Sequence, residues 1–314
     1  MLDPDARAAA AALAEALPGR LQSLGVAEVR ELLNSPPGTV VGDDTVEDLQ
    51  IDVGDHAIPV RFYRSPGSEP GPALLYIHGG GWTLGTLDGV DLLCRELREQ
   101  AGCHVVSVAY RLAPEHPFPA GLEDCLSTLN WLQDSAAALH VDPDRIAIGG
   151  DSAGGNLSIA TCLAAGETGR PMPAYQLLVY PATDFDSDRC SWSEHAHAPL
   201  LTAVDARWFM SLYAPSATER VNPLVSPMRA ASLSALPPTH VITAEVDVLR
   251  DDAEAFAARL RVEGVPVTLT RYLGVFHGFF TEVGVFERTA HAIAEASQLL
   301  RTAFAVDTNK ERHV

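Results

Sequence analysis

The stretch Gly149-Gly150-Asp151-Ser152-Ala153-Gly154-Gly155 sets a serine between glycines two places before and two places after it. That spacing suits a tight strand-to-helix turn, which lifts a hydroxyl clear of the sheet where a base can reach it. The flanks agree: Arg145-Ile-Ala-Ile-Gly149 reads as a short buried strand and residues 156–165 as a helix. Ser152 is therefore a candidate covalent nucleophile, and the chemistry it suggests is acyl transfer. Such a serine needs a base. His277, in Gly274-Val-Phe-His277-Gly-Phe-Phe, follows the last expected strand and precedes the last expected helix, which makes it the best placed of 11 histidines. The base in turn needs a carboxylate to fix its tautomer. Asp247 lies just past the strand that ends at Ala244. Glu245, Asp251 and Asp252 compete for this role. Asp251 reads better as a helix N-cap with Asp252 in the first turn, and Glu245, adjacent to the strand, is expected to point elsewhere.

A second glycine cluster, His78-Gly79-Gly80-Gly81-Trp82, directly follows an expected strand at 73–77. Consecutive glycines leave backbone N–H groups uncovered, which suits the negative charge that develops on a carbonyl oxygen during acyl transfer. The amides of Gly79 and Gly80, with that of Ala153 just after the nucleophile, are the expected oxyanion donors. His78 is expected to position this loop rather than act as a base. His104, His140, His240 and His291 fall in strand or helix contexts and read as structural or surface residues, whereas His195 and His197 fall where they could touch substrate.

These residues need a scaffold. Leucines at helical spacing run from Leu13 to Leu33, interrupted at Pro18-Gly19 and Gly25, and Asn34-Ser-Pro-Pro-Gly38 closes that region. A hairpin is expected over 46–64, with its turn near Gly54-Asp55-His56. Strands at 104–109, 175–180, 239–244 and 267–272 then alternate with helices at 91–100, 120–139, 251–263 and 287–304. The pattern predicts a mostly parallel sheet covered on both faces. Residues 184–236 hold no convincing strand but carry Leu201, Trp208 and Phe209, as expected of a helical insertion lying over the strand ends. Trp82, Leu201, Trp208 and Phe209 are the candidate substrate contacts.

Composition narrows the partners. Of 314 residues, 47% are apolar, enough for a large core, and 22 basic against 41 acidic residues give a net charge of −19. That charge argues against nucleic acid and anionic membrane as partners. The five cysteines show no CxxC pair, which reads as reduced core thiols and not as a zinc site. The N-terminus lacks the basic and apolar regions of a signal peptide, and no run approaches the ~20 apolar residues of a membrane span. A soluble, cytoplasmic protein is expected.

Taken together, His78-Gly-Gly-Gly81-Trp82, Tyr110-Arg-Leu-Ala-Pro-Glu115, Phe118-Pro-Ala120, Gly150-Asp-Ser-Ala-Gly-Gly155, Asp247-x-Leu249-x-Asp251 and His277-Gly278-Phe279 resemble the hormone-sensitive-lipase-like (family IV) carboxylesterases of bacteria. The order Ser152, Asp247, His277 is that of the α/β-hydrolases. The resemblance spans residues 40–305 and implies an α/β-hydrolase fold with an eight-stranded sheet. The implied core is 46–183 and 237–305. Helices of residues 1–45 and the 184–236 insertion would form a cap, and 306–314 a tail. It further implies hydrolysis of short- to medium-chain acyl esters without a cofactor or metal, on a small-molecule ester substrate. A homodimer through the strand near 267–272 is suggested by the same analogy. The family often has proline after the triad aspartate; here Val248 stands there and leaves the carboxylate in place. The glycine loop would serve any acyl group, so peptidase, amidase and true lipase stay open beside esterase. A non-catalytic binder on this fold would be expected to lack one of the three residues.

Overall fold

The computed structural model describes residues 1–16, 21–34, 43–67 and 70–305. Leu17, the Pro18-Gly19 break, the Ser35–Gly38 end of the N-terminal region and the 306–314 tail lie outside the described residues. The N-terminal region supplies helices α1 (Pro4–Ala16), α2 (Leu21–Leu24) and α3 (Val26–Leu33). The expected hairpin follows as β1 (Val46–Asp52) and β2 (Ala57–Tyr63). Alternation then begins: β3 (Gly71–Ile77), α4 (Asp91–Ala101), β4 (His104–Val108), α5 (Ala120–Asp134), α6 (Ala136–Leu139), β5 (Val141–Asp151), α7 (Ala153–Glu167) and β6 (Tyr175–Val179). The insertion contributes α8 (Cys190–Glu194), α9 (Ala203–Tyr213) and α10 (Ala217–Arg220), and no strand. The chain finishes with β7 (Thr239–Val246), α11 (Arg250–Val262), β8 (Val267–Phe276) and α12 (Glu287–Ala305).

The eight strands form one sheet in the order β1-β2-β4-β3-β5-β6-β7-β8. β1 and β2 pair antiparallel, β2 meets β4 antiparallel, and every later pair is parallel. Parallel strands covered by helices on both faces carry continuous apolar runs, and β4 and β6 are buried at every residue. Two apolar clusters result. One includes Leu75, Ile77, Ile148, Leu157 and Phe256, the other Leu74, Tyr76, Leu97, Leu177 and Ile293. Alternate residues of β3 fall into different clusters, as a period of two requires.

Several boundaries differ from the sequence reading. β5 begins at Val141 because Val141 pairs with Gly71; the polar Asp142-Pro143-Asp144 at the sheet rim hides this from an apolar pattern. β8 runs on through Gly274 to Phe276, its Gly274 amide donating to Glu245 at 2.8 Å. The helix expected over 120–139 leaves helical geometry at Ser135 (φ −95°, ψ 4°) and resumes as α6. α11 begins at Arg250, so Asp251 is not an N-cap; its carboxylate accepts from the Ser191 amide at 2.9 Å and from the Arg250 side chain.

Polar ties fasten the N-terminal helices and the insertion to the sheet. Arg30 of α3 donates to the Thr83 and Ala113 carbonyls at 2.9 and 3.0 Å and pairs with Glu115 at 2.7 Å. The Leu21 amide donates to Asp205 of α9 at 3.0 Å. Asp252 of α11, 1% exposed, accepts from the Ser187 hydroxyl, from Trp192 Nε1 at 2.7 Å and from Arg189 at 3.2 Å, all three in the insertion. Burial pushes its carboxyl up to about 6 despite these donors. Because folding raises this pKa above the ordinary aspartate value of 3.8, its contribution to stability is greatest below that value and is lost as pH rises through about 6. Asp252→Asn removes the titration. In urea denaturation across a pH series, the stability of the unmodified protein relative to the variant should fall by up to about 3 kcal/mol between pH 3.5 and 7.

Candidate active site

β5 ends at Asp151 and α7 begins at Ala153, so Ser152 alone makes the turn, at φ 55° and ψ −115°. A non-glycine residue in that region is strained by roughly 1–3 kcal/mol and persists only where its surroundings fix it. Here the Ser152 amide donates to the Val179 carbonyl at 2.8 Å, and its own carbonyl accepts from Asn156 N at 3.0 Å. The first turn of α7 lies against the end of β3. A Cβ on Gly154 would sit 2.6 Å from the Ile77 carbonyl carbon, which explains a glycine inside a helix.

The ends of β7 and β8 deliver the partners. Asp247 follows β7, is 0% exposed, and accepts from the Leu249 amide through Oδ1 at 2.9 Å. His277 follows β8 directly. Its Nδ1 lies 2.7 Å from Asp247 Oδ2, and its Nε2 lies 2.8 Å from Ser152 Oγ. An ionised carboxylate only accepts, so Nδ1 carries the proton and Nε2 is left to accept from the serine. The Tyr180 ring lies 4.5 Å from the imidazole and confines it on one side. Glu245 turns away to the Gly274 amide and the N-terminus, and Asp251 and Asp252 face the insertion.

The glycine loop departs from the sequence reading at one position. The Gly79 amide donates to Asp151 Oδ1 at 3.0 Å, so it is already engaged and does not point to an incoming oxyanion. The amides of Gly80, Gly81 and Ala153 donate to no group among the described residues. Asp151 is buried, also accepts from Tyr76 Oη at 2.9 Å, and has its pKa raised chiefly by that burial. His78 hydrogen-bonds the Gly79 carbonyl at 2.8 Å and stacks on Tyr110 at 4.5 Å. Burial pushes it down to about 4, so it is neutral at pH 7.

Ser152 and His277 open into a cavity of about 340 Å³. Trp82, Leu201 and Phe209 line it, while Trp208 does not. On α9, Ala206, Phe209 and Met210 share the inner face at helical spacing, and Trp208 points off it with its ring against Phe209 at 4.9 Å. His195 also stays out of the lining, held by Arg250 at 2.8 Å, and His197 is exposed. Sequence reasoning missed Ala9 and Leu13 of α1, Leu21 and Leu33, which line the cavity beside the insertion. Their helical spacing was visible, but not what they faced. It also missed Asn156, which accepts from Trp82 Nε1 at 3.3 Å and donates to the Ala182 and Val225 carbonyls at 2.9 Å. No group of three or more His, Cys, Asp or Glu side chains among the described residues is arranged to hold a metal ion. Among the same residues no helix is long and apolar enough to cross a membrane.

Known proteins carry the same features. A family model described as an α/β-hydrolase fold matches residues 74–281. The chain is 40% identical over 281 residues to the carboxylic ester hydrolase LipN of Mycobacterium tuberculosis, covering 87% of this chain and 73% of that one. It is 37% identical over 265 residues to an ethyl acetate hydrolase of Pseudomonas putida, covering 82% and 83%. The solved hyperthermophilic esterase of Pyrobaculum calidifontis superposes with a TM-score of 0.89 at 37% identity, over 97% of this chain and 99% of that one. The chain belongs to the α/β-hydrolases, in their hormone-sensitive-lipase-like family IV. Within that family it is a carboxylic ester hydrolase.

A Cβ on Gly79 would meet the Asp151 carboxylate and lie 3.0 Å from the Asp151 backbone carbonyl, so the loop must shift to accept a side chain. Gly79→Ala should slow phosphonylation of Ser152 by a fluorophosphonate at least about tenfold, read by mass spectrometry. The thermal midpoint should drop by a few degrees, as overpacking of about 1–3 kcal/mol implies.

Proposed function

We propose that Ser152, His277 and Asp247 form a catalytic triad that hydrolyses short- to medium-chain acyl esters through an acyl-enzyme. The observation that carries this reading is the continuous hydrogen-bonded line from Ser152 Oγ through the imidazole to Asp247, opening on a cavity. As His277 Nε2 takes the serine proton, Oγ attacks the ester carbonyl carbon, and Asp247 stabilises the imidazolium. The carbonyl oxygen becomes an oxyanion held by the amides of Gly80, Gly81 and Ala153, in place of Gly79. His277 then gives its proton to the leaving alcohol. Water, deprotonated by the same nitrogen, attacks the acyl-enzyme, and as the Oγ–acyl bond breaks His277 returns that proton to Ser152 Oγ and the acid leaves. No cofactor enters any step.

The size of the cavity, about 340 Å³, is near the small end for ligand sites and supports modest acyl chains. Leu201, Phe209 and Met210 of the insertion, with Leu13, Leu21 and Leu33 from the N-terminal helices, would close over the ester as a cap. Cys94, Cys103, Cys125 and Cys162 are buried free thiols, which supports a reducing, cytoplasmic setting.

Ser152→Ala should lower kcat on p-nitrophenyl butyrate by at least ~10⁴-fold with an unchanged thermal midpoint; retained turnover would overturn the triad. Across a series of p-nitrophenyl esters, kcat/KM should peak between butyrate and hexanoate and fall at least about tenfold by dodecanoate, as a cavity of this class implies. A maximum at dodecanoate or beyond would reject the chain-length assignment.

A further inference from the structure

The cavity is electrically one-sided. Asp151 lines it beside the nucleophile and Glu282 lines it at the rim, while no Lys or Arg among the described residues does. Of its two histidines, His78 is pushed down to about 4 by burial, and His277 has both ring nitrogens engaged, by Asp247 and by Ser152. Asp151 is 6% exposed, and both of its side-chain hydrogen bonds fall on Oδ1. Glu282 is exposed at this rim, and its carboxylate makes no hydrogen bond or ion pair among the described residues. This lining sits in a chain of net charge −19.

The apolar lining also divides. Leu21, Phe209 and Met210 belong to one core cluster, Val90 and Phe286 to the other, and all five line the cavity together with Ser152. Glu282 lines the cavity along with Phe286, four residues further on in the chain. A substrate group resting there meets apolar surface and one unpaired carboxylate, the combination that suits an alkylammonium.

We infer that this cavity selects by charge: it favours esters that carry an ammonium group over neutral esters of the same shape and rejects anionic ones, with Glu282 as the specificity-determining residue. The inference rests on the ester-hydrolase reading of the same cavity. The same field acts on turnover. Hydrolysis converts a neutral ester into a carboxylate, which the acidic lining repels, so charge that admits the substrate also expels the acid. Because Glu282 stands at the rim, its effect is screened by salt and is largest at low ionic strength.

The test uses pairs that differ only in a quaternary nitrogen or carbon. Acetylcholine and 3,3-dimethylbutyl acetate place it on the alcohol; ethyl 4-(trimethylammonio)butanoate and ethyl 5,5-dimethylhexanoate place it on the acyl chain. The ratio of kcat/KM, cationic to neutral, is measured in the unmodified enzyme and in Glu282→Gln. In at least one pair, that substitution should lower the ratio by about fivefold or more at low salt, and added salt should erase the difference. Calorimetric binding of the same pair to Ser152→Ala and to the Ser152→Ala, Glu282→Gln double variant gives the ratio of Kd values without turnover. Ratios unmoved by Glu282→Gln in both pairs, by kinetics and by binding, overturn the inference. Loss of turnover on all four esters with the binding ratio still shifted would instead indict the catalytic reading and leave charge selection standing.

Discussion

The first turn of α7 packs directly on the carboxyl end of β3, and the rest of the site depends on that contact. It admits no side chain on Gly154, because the Ile77 carbonyl occupies the place where a Cβ would stand. In return it puts three things side by side. Ser152 is held at the turn with positive φ, the Ala153 amide is left without an intrahelical acceptor, and the glycine loop leaves β3 at that same point. Asp151 completes the junction by joining Tyr76 of β3 and Gly79 of the loop through a single buried oxygen. The strain at Ser152 is thus borne by a helix, two strands and a loop that all share one corner.

Rigid elements, more than loops, deliver the other two residues. Asp247 and His277 stand one residue past the ends of neighbouring parallel strands, β7 and β8, whose register carries Val246 opposite Phe276. Parallel pairing brings both carboxyl ends to the same edge of the sheet. A carboxylate with no exposure to water and an imidazole nearly as buried then interact where the dielectric is low, and each is satisfied by a directed hydrogen bond.

What closes over this edge is held by buried polar groups as well as by apolar area. Asn156 spans Trp82, Ala182 and Val225, Asp252 gathers three donors from the insertion, and Arg30 ties α3 to the loops at 83 and 113. Each such group must find its partners or carry a desolvation cost of about 1–3 kcal/mol, so they fix one docking arrangement where apolar contact alone would tolerate several. The cavity below inherits the acidic balance of the whole chain. Among the described residues neither of its carboxylates pairs with an arginine, whereas Asp48, Asp124 and Glu254 outside it do.

The sequence by itself determined the fold class, the strand and helix order and the serine, histidine and aspartate now found in one hydrogen-bonded line. It could do so because these features are local: apolar periodicity, glycines around a turn, and a charged residue just past a strand. It read boundaries less well where polar residues extend a strand, as at Asp142–Asp144, or where a glycine continues one, as at Gly274. Only the tertiary structure decided which glycine amide is free. Gly79, Gly80 and Gly81 are identical as letters, and the Asp151 carboxylate that engages the first is 72 residues away in the chain. Only the fold, likewise, turned Phe209 into the cavity and Trp208 out of it, and brought α1 to the same cavity as the insertion. Periodicity reveals that a helix has an apolar face; what that face meets is set by contacts between distant segments, which no local pattern encodes.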